Sequence, residues 1–312
     1  MNSNPEILLT GASGFVGNAL VGALAPEYLS VLGRRKMKGP FKAFFEADIA
    51  GNTDYSSVLK GIDVIIHSAA RVHVMDEKSS DPLAEFREVN TAGTLNFAQQ
   101  AADSGVKRFI FISSIKVNGE STFPGKPFRC DDKPMPEDAY GISKAEAEAG
   151  LQQIALKTGM EVVIIRPPLV YGPGVKANFA AMMTLAKKNL PLPLGAIHNK
   201  RSLVAIDNLV SLVITCIRHP KAANQIFLVS DDHALSTTEL IETMFSAIGK
   251  KAMFVPVPVK LLHFFANLIG KGSVMERLYG NLEVDIEFTK NTLSWRPVVS
   301  VQDAIKKCFV KE

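Results

Sequence analysis

The sequence of 312 residues predicts an α/β fold, in which a doubly wound parallel sheet is followed by a smaller C-terminal lobe. Two observations carry this prediction. A buried apolar run at residues 7–9 leads directly into a glycine-rich turn, and apolar runs then alternate with helical patterns as far as residue 168. From Leu169 onward this alternation gives way to short apolar pieces and proline-rich links, so we divide the chain into residues 1–168 and 169–312. We expect some segments of the second part to return to the first.

The glycine-rich turn is the segment TGASGFVG, with glycines spaced three apart at Gly11, Gly14 and Gly17. A strand before the turn and a helix over residues 18–24 after it are the context in which such glycines let the backbone approach a diphosphate. Glycine turns are also common in ordinary loops, but this context favours a dinucleotide cradle of the Rossmann type. The candidate cofactor residues of the turn are Gly11, Ser13, Gly14, Phe15, Val16 and Gly17.

The end of the second predicted strand, residues 28–32, bears on which dinucleotide binds. Arg34 and Arg35 follow this strand, and no Asp or Glu lies between residues 28 and 40. An acidic residue here holds the 2′-hydroxyl of NAD, whereas arginine suits the 2′-phosphate of NADP. We therefore favour NADP(H) and keep NAD(H) as the alternative, since two arginines in a loop are also consistent with a solvated surface.

Further strands and helices follow in alternation, which predicts a parallel sheet covered on both faces. Small residues after the fourth strand, Ser68, Ala69 and Ala70, would let a ligand lie against the backbone, although tight packing alone also explains them. The predicted strands are residues 41–46, 62–67, 109–112 and 161–166, and the predicted helices are residues 53–59, 81–102 and 140–156, with a loop over residues 117–138.

A candidate catalytic group follows the fifth strand. Ser113 and Ser114 end that strand, and Tyr140 and Lys144 lie four residues apart, on one face of the next helix. Taken singly these are ordinary surface residues, and only their order along the chain makes them candidates. An ammonium near a phenol favours the phenolate, which would bring proton exchange by Tyr140 closer to neutral pH.

Composition bears on the remaining classes of protein. A net charge of +4 with scattered basic residues argues against a nucleic-acid partner, and three cysteines without paired spacing argue against a disulfide framework or a metal site. We expect a cytoplasmic protein without stable membrane insertion, because the sequence contains no signal segment and no apolar run of spanning length. The apolar run at residues 255–269 is interrupted by polar residues, so we expect it to pack in the core or against the lobe rather than on a membrane.

These motifs occur together in one known family. TGASGFVG, the HSAA turn, NTAGT, FISS, YGISK, RPPLVYGPG, RSLVAIDN and SWRP stand in the order and spacing of the extended short-chain dehydrogenase/reductases. Over nearly its whole length the chain resembles the nucleotide-sugar branch of that family, typified by UDP-galactose 4-epimerase. Within the branch, the segments RVHVMDEKSSDPLAEFREVN, SSIKVNGE and PPLVYGPGVKANF are most similar to bacterial enzymes that reduce a UDP-4-keto-6-deoxy-N-acetylhexosamine.

The resemblance implies roles for particular residues. Ser114 takes the position of the catalytic Ser/Thr, Tyr140 that of the acid/base and Lys144 that of its partner. The implied cofactor contacts outside the glycine turn and the two arginines are Asp48, Ile49, Ser68, Ala69, Ala70, Asn90, Ile112, Tyr140, Lys144, Pro167 and Val170. The implied contacts of a UDP-sugar substrate are Arg71, Ser113, Ser114, Tyr140, Leu169, Asn178, Phe179, Arg201 and Arg277. A homodimer that packs through residues 81–102 and 140–156 is also implied.

Two departures from the family pattern shape the expected reaction. Ile115 and Lys116 replace the Asp-Glu pair with which 4,6-dehydratases remove water, and the acid that holds NAD in epimerases is absent. We therefore expect an NADPH-dependent 4-ketoreductase that forms a UDP-6-deoxy-N-acetylhexosamine, such as UDP-N-acetylquinovosamine, for surface polysaccharides such as lipopolysaccharide O-antigen. The alternatives are an NAD-dependent 4-epimerase of UDP-N-acetylglucosamine or UDP-glucose, and a non-catalytic dinucleotide sensor.

Overall fold

A computed structural model describes residues 4–72, 81–188, 190–258 and 278–310. The main sheet consists of seven parallel strands, which are β1 Ile7–Thr10, β2 Leu29–Gly33, β3 Ala43–Glu46, β4 Val64–His67, β5 Arg108–Ile112, β6 Glu161–Arg166 and β9 Gln225–Leu228. Two further strands, β7 (Leu169–Tyr171) and β8 (Leu203–Ala205), pair in parallel in a separate small sheet.

The order of the strands in the main sheet is β3-β2-β1-β4-β5-β6-β9, which is the order of the Rossmann fold and confirms the predicted fold class. The direction of winding reverses between β1 and β4, where Thr10 lies opposite His67. Ligands of such sheets bind outside the carboxyl ends of the strands at this point. The glycine turn after β1 and the segment after β4 therefore border one crevice.

Helices cover both faces of this sheet. The α-helices are α1 Phe15–Ala23, α2 Pro82–Phe86, α3 Thr94–Asp103, α4 Ala139–Thr158, α5 Ala177–Lys188, α6 Ile206–Arg218, α7 Thr237–Ala247, α8 Glu287–Leu293 and α9 Val301–Phe309. Along β1, Ile7 and Leu9 pack into an apolar cluster with α1 and α6, whereas Leu8 packs into a second cluster with α3 and α4. The alternation of side chains along a strand thus builds one core on each face.

The structure differs from the predicted helices in two places. The helix predicted at residues 81–102 is confirmed, but its middle, Arg87–Gly93, is a π-helix. The helix predicted at residues 53–59 is wrong, because this segment forms turns. The backbone N–H of Tyr55 donates to Gln100 Oε1 (2.7 Å), and Gln100 Nε2 donates to the carbonyl of Thr53 (2.8 Å). A side chain of α3 thus satisfies backbone groups that a helix would have paired internally.

A third apolar cluster lies beyond the main sheet and contains side chains of β7, β8, α5, α7 and α9. Buried polar groups join it to the sheet. Tyr171 Oη of β7 donates to Asp231 Oδ2 (2.7 Å), and Asn208 Nδ2 of α6 donates to Asp231 Oδ1 (2.7 Å). Because Asp231 follows β9, these bonds fix the cluster against the last strand of the main sheet.

Within the described ranges, no helix has the length and apolar character needed to cross a membrane. The apolar run predicted to pack at residues 255–269 falls mostly in residues 259–277, which lie outside those ranges.

The glycine turn provides a test of this packing. An added Cβ at Gly17 would overlap the carbonyl oxygen of Gly11, whereas nothing lies within 4 Å of a Cβ at Gly22 in the same helix. We expect Gly17→Ala to lower the free energy of unfolding by ~2 kcal/mol, because the backbone must move. Gly22→Ala should raise it by ~0.5–1 kcal/mol through helix propensity. Urea denaturation of both variants measures this, and equal effects would contradict the packing at the turn.

Candidate active site

The glycine turn and the segment after β4 are in backbone contact. Gly11 has a φ of +76°, and a Cβ there would lie 2.6 Å from the backbone nitrogen of Ala69. A residue with a side chain would therefore both strain the turn and separate the two segments. Helix α1 starts with Gly14 as its N-cap, and no side chain caps it. Backbone N–H groups at an uncapped helix start suit a diphosphate, so these residues fit a dinucleotide.

Thr10 and His67 hold the two sides of the crevice together, a role that the sequence did not reveal. Thr10 Oγ1 lies 2.8 Å from His67 Nδ1, and His67 Nε2 lies 3.0 Å from Thr94 Oγ1. Ser68 Oγ donates to the carbonyl of Thr10 (2.7 Å). Burial lowers the pKa of His67 to about 3, and the nearby Lys144 ammonium adds to this, so the ring is neutral. His67 is thus a neutral bridge between strands.

Asn90, an expected cofactor contact, is almost fully buried in the π-helix and supports the start of the segment after Ala70. Its Oδ1 accepts a hydrogen bond from the N–H of Arg71 (2.8 Å), and its Nδ2 donates to the carbonyl of Arg71 (3.0 Å) and to Ser143 Oγ (3.1 Å). Both amide hydrogens are therefore used within the protein. Asn90 connects the Arg71 backbone to α4.

The expected acid/base pair lies at the start of α4. Asp138 caps this helix by accepting from the N–H of Gly141 (2.7 Å), and its other oxygen accepts from Lys116 Nζ (2.5 Å). Lys116 lies two residues after Ser114, so this ion pair joins the start of α4 to the segment that carries the serine. Lys116 therefore has a structural role at the position where dehydratases have an acid.

Lys144 is buried one turn after Tyr140. Its Nζ donates to the carbonyl of Ile112 at the end of β5 (3.0 Å), lies 4.3 Å from the centre of the Phe111 ring and 5.9 Å from that of Tyr140. Ser114 lies two residues beyond Ile112 and is half-buried; its Oγ accepts from the N–H of Lys116 (3.2 Å). The structure thus gathers Tyr140, Lys144 and the end of β5, as the sequence order predicts.

The pKa values of this pair differ from the expectation. Burial lowers the pKa of Lys144 to about 7, although Glu148 opposes this shift. Burial also raises the pKa of Tyr140, and the carboxylate of Asp138 raises it further. The expectation that Lys144 brings Tyr140 closer to neutral titration is wrong for the ligand-free protein. Desolvation of the phenol determines the direction of its shift, and the neighbouring ammonium is itself close to losing its proton.

Ser113, an expected substrate contact, is turned into the interior. Its Oγ donates to Glu148 Oε1 of α4 (2.5 Å). Glu148 forms a bidentate ion pair with Arg166 of β6, through Nε (3.0 Å) and Nη2 (2.5 Å). Arg166 Nη1 donates to Asn118 Oδ1 (3.0 Å). The hydroxyl of Ser113 is therefore committed to this buried network, which we call the Glu148–Arg166 network.

A cavity of about 260 Å³ lies beside the third apolar cluster. Three of the expected substrate contacts line it together, namely Leu169, Phe179 and Arg201. Phe179 is buried and stacks on Tyr171, with ring centres 5.0 Å apart, and Arg201 Nη1 donates to the carbonyl of Gly280 (3.0 Å). The wall is mostly apolar with one guanidinium, which suits a ligand that has both a flat ring and an anionic group.

The other expected site residues lie around these two features. Arg34 and Arg35 are exposed, and Arg34 Nε lies 3.8 Å from the exposed carboxylate of Asp48. Ile49 and Ile112 are buried, and Val170 lies in β7. Pro167 accepts from the N–H of Ile115 (3.0 Å). The side chain of Asn178, in the first turn of α5, and all of Arg277 lie outside the described structure.

In the part of the chain that the structure describes, no group of three potential ligands could hold a metal.

The fold and the site define an enzyme that binds a nicotinamide dinucleotide in a Rossmann crevice. Residues 7–230 match the model of the NAD dependent epimerase/dehydratase family, and the chain belongs to this family. It is 53% identical over 307 residues to a UDP-glucose 4-epimerase of Vibrio cholerae, covering 97% of this chain and 94% of that one.

Solved structures of similar fold include a UDP-N-acetylglucosamine 4-epimerase from Bacillus cereus, with a TM-score of 0.77, 18% identity and coverage of 98% of this chain and 98% of that one. A UDP-glucuronic acid 4-epimerase from the same organism is also similar, with 96% of each chain covered. The latter has a TM-score of 0.75 and 21% identity and was solved in complex with NAD.

The expected 4-ketoreductase is contradicted by these comparisons, because a relative that is 53% identical over 97% of this chain is a UDP-glucose 4-epimerase. The expectation rested on two departures from the family pattern, namely Ile115 with Lys116 and the missing acid after β2. Neither departure separates a 4-ketoreductase from a 4-epimerase. Ile115 and Lys116 exclude only the dehydratase chemistry. A reductase and an epimerase both need a Tyr, a Lys, a Ser and a dinucleotide, and they differ in whether the hydride returns to the same sugar.

The buried Lys144 predicts a pH dependence of stability. Its pKa falls from 10.5 to about 7 on folding, so the unfolded chain binds more protons between these values and stability rises with pH there. Relative to Lys144→Met, the wild type should gain about 1.4 kcal/mol per pH unit across this window. Urea denaturation of both ligand-free proteins from pH 7 to 9 measures the difference, and parallel curves would show that Lys144 is not desolvated.

Proposed function

We propose that this enzyme is a 4-epimerase of UDP-hexoses and that UDP-glucose is its principal substrate. The observation that carries the proposal is the 53% identity to a UDP-glucose 4-epimerase over nearly the full length of both chains. The geometry supports it, since the Tyr140 and Lys144 pair stands at the end of β5 and a cavity with Arg201 lies nearby. These are the parts that a reaction at one carbon of a nucleotide sugar needs.

In this function the chain manages one proton at the C4 oxygen. A bound NAD(P) would supply reversible hydride transfer at C4. Tyr140 removes the C4 hydroxyl proton and later returns a proton to the same oxygen, and Ser114 hydrogen-bonds that oxygen and shares its negative charge. The protonated form of Lys144, an ammonium, stabilises the Tyr140 phenolate. Its pKa of about 7 also lets it take up or release a proton near neutral pH.

Inversion at C4 requires that the sugar presents its other face between the two halves of the reaction. We propose that the nucleotide part stays in the cavity lined by Leu169, Phe179 and Arg201 while the sugar turns. Apolar contact and the Arg201 charge would hold the base and the diphosphate, and the sugar would be held only through its C4 oxygen. No net oxidation or reduction of the sugar results.

We further propose that Arg34 and Arg35 face the adenosine ribose of the dinucleotide and favour a 2′-phosphate. Both are exposed at the end of β2, where this group would lie.

We also propose a homodimer that packs through α3 and α4. The exposed Leu156 of α4 provides an apolar side chain for this interface. A cytoplasmic location stays a prediction from the cysteine content.

Tyr140→Phe tests the proton transfer. The variant keeps the ring beside Phe86 but loses the hydroxyl, so kcat for conversion of UDP-glucose to UDP-galactose should fall by ~10²-fold or more. NMR of the equilibrating sugars measures this, with bound dinucleotide determined in the same samples as a control. Undiminished conversion would remove Tyr140 from the reaction, and dinucleotide binding without conversion by the wild type would favour the sensor alternative.

Arg34→Ala tests the cofactor preference. Loss of a charge-assisted hydrogen bond should weaken NADP binding by ~10-fold or more and leave NAD binding nearly unchanged. Lys38→Ala, in the same exposed loop, is the matched control. Calorimetric titration of the wild type and both variants with each dinucleotide gives the six affinities. Tight NAD binding together with NADP binding that is weak in every variant would contradict the role of Arg34.

A further inference from the structure

The Glu148–Arg166 network lies beneath the expected catalytic residues and has no part in the chemistry described above. Both charges are almost fully buried, with side-chain exposures of 4% for Glu148 and 2% for Arg166. Burying an ion pair is costly, and apolar residues of similar size are often as stable. A contribution to stability alone is therefore a weak explanation for this buried ion pair. Its contacts with the residues around the site provide a stronger one.

The network connects the two elements that carry the site. Tyr140, Lys144 and Glu148 are spaced by four residues on one face of α4. Glu148 accepts from Ser113 Oγ, and the next residue along the chain is Ser114. Through Ser113, Glu148 thereby connects the segment that carries Ser114 to α4, the helix that presents Tyr140 and Lys144.

The segment after β5 that carries Ser114 is also fixed to β6 and Pro167. The N–H of Ser113 donates to the carbonyl of Ile165 (2.8 Å), and the N–H of Ile115 donates to the carbonyl of Pro167 (3.0 Å). These two backbone bonds flank Arg166, whose guanidinium meets Glu148. A shift of the ion pair would consequently move both neighbours of Ser114.

The ionisable groups that face the Lys144 ammonium in the described structure come from three elements. Tyr140 and Glu148 lie on α4 itself, His67 faces it from β4, and Arg166 of β6 acts through its contact with Glu148. His67 is neutral at ordinary pH. Glu148 is thus the one anion of this set, and Arg166 offsets part of its field.

We propose that Glu148 and Arg166 are positioning residues that hold the segment of Ser114 beside the helix that carries Tyr140 and Lys144, and that their opposed charges act on the Lys144 ammonium. This inference rests on the proposed 4-epimerase function for its kinetic consequence, but its electrostatic consequence can be measured without substrate. Removing either partner changes the field at Lys144 with an opposite sign. A pair whose charges do not reach Lys144 would leave its titration unchanged in both variants.

The test is the titration of Lys144 in ligand-free protein, followed by NMR of lysines labelled at Cε and assigned with Lys144→Met. E148Q leaves Arg166 as an unopposed cation, so the pKa of Lys144 should fall by about 1 unit or more. R166M leaves Glu148 as an unopposed anion, so the pKa should rise by a similar amount. The double variant E148Q/R166M removes both charges and should titrate close to the wild type.

E161Q is the matched control. Glu161 pairs with Arg108 between the same two strands, β5 and β6, at their opposite ends. The E161Q variant loses the same charge from an Arg–Glu pair, in which Glu161 is partly exposed (41%), and it should leave the Lys144 titration unchanged. If E148Q proves too unstable to study, the R166M and double variants still carry the comparison. Shifts of the same sign in E148Q and R166M, or no shift in a folded R166M, would overturn the proposal.

The kinetic readout separates this proposal from the proposed function. For UDP-glucose, R166M and the double variant should lower kcat by ~10-fold or more with KM nearly unchanged, because positioning matters at the reacting carbon rather than in nucleotide binding. A raised KM at unchanged kcat would contradict positioning. If the wild type converts no UDP-sugar, the 4-epimerase proposal fails, while the titrations still decide the electrostatic role of the pair.

Discussion

The burial of one ammonium, that of Lys144, is the constraint on which the arrangement of the site depends. Its Nζ reaches the carbonyl at the end of β5 and lies over the Phe111 ring, where water is excluded. Such a position costs desolvation energy, which is why the pKa of the group falls to about 7. This position places α4 against the end of β5, and the same helix presents Tyr140 one turn before Lys144.

Contacts with several neighbouring segments keep helix α4 in place. Asp138 caps its start and pairs with Lys116, the Glu148–Arg166 network fastens its middle to β5 and β6, and Asn90 connects it to the segment after β4. Each contact joins α4 to a different segment at the carboxyl edge of the sheet. The site is thus held by several separate contacts around Lys144 rather than by one interaction.

Sequence reasoning succeeded where a local pattern has one structural solution. Glycines at Gly11, Gly14 and Gly17 between a strand and a helix specify the turn, and the Tyr140 to Lys144 spacing specifies one helix face. It failed at residues 53–59, because the competing bonds come from Gln100, almost fifty residues away. The bridge between Thr10 and His67 left no local signal, although the HSAA motif marked its place.

The choice between reductase and epimerase failed for a different reason. Both reactions use the same residue types, so the residues that were identified could not distinguish them. The 53% identity to a UDP-glucose 4-epimerase over 97% of the chain argues against the reductase. The direction of the Tyr140 pKa was also beyond reach, since spacing indicates which groups are neighbours but not how deeply each is buried.

The central claim is that one enzyme-bound dinucleotide exchanges hydride with C4 of a UDP-hexose while the chain exchanges only a proton with its oxygen. The most direct measurement is incubation of the enzyme with UDP-glucose deuterated at C4, without added reductant, followed by NMR of the product. The account predicts UDP-galactose that keeps its deuterium at C4 and no net consumption of dinucleotide. Product that has lost the deuterium, or no conversion at all, would contradict it.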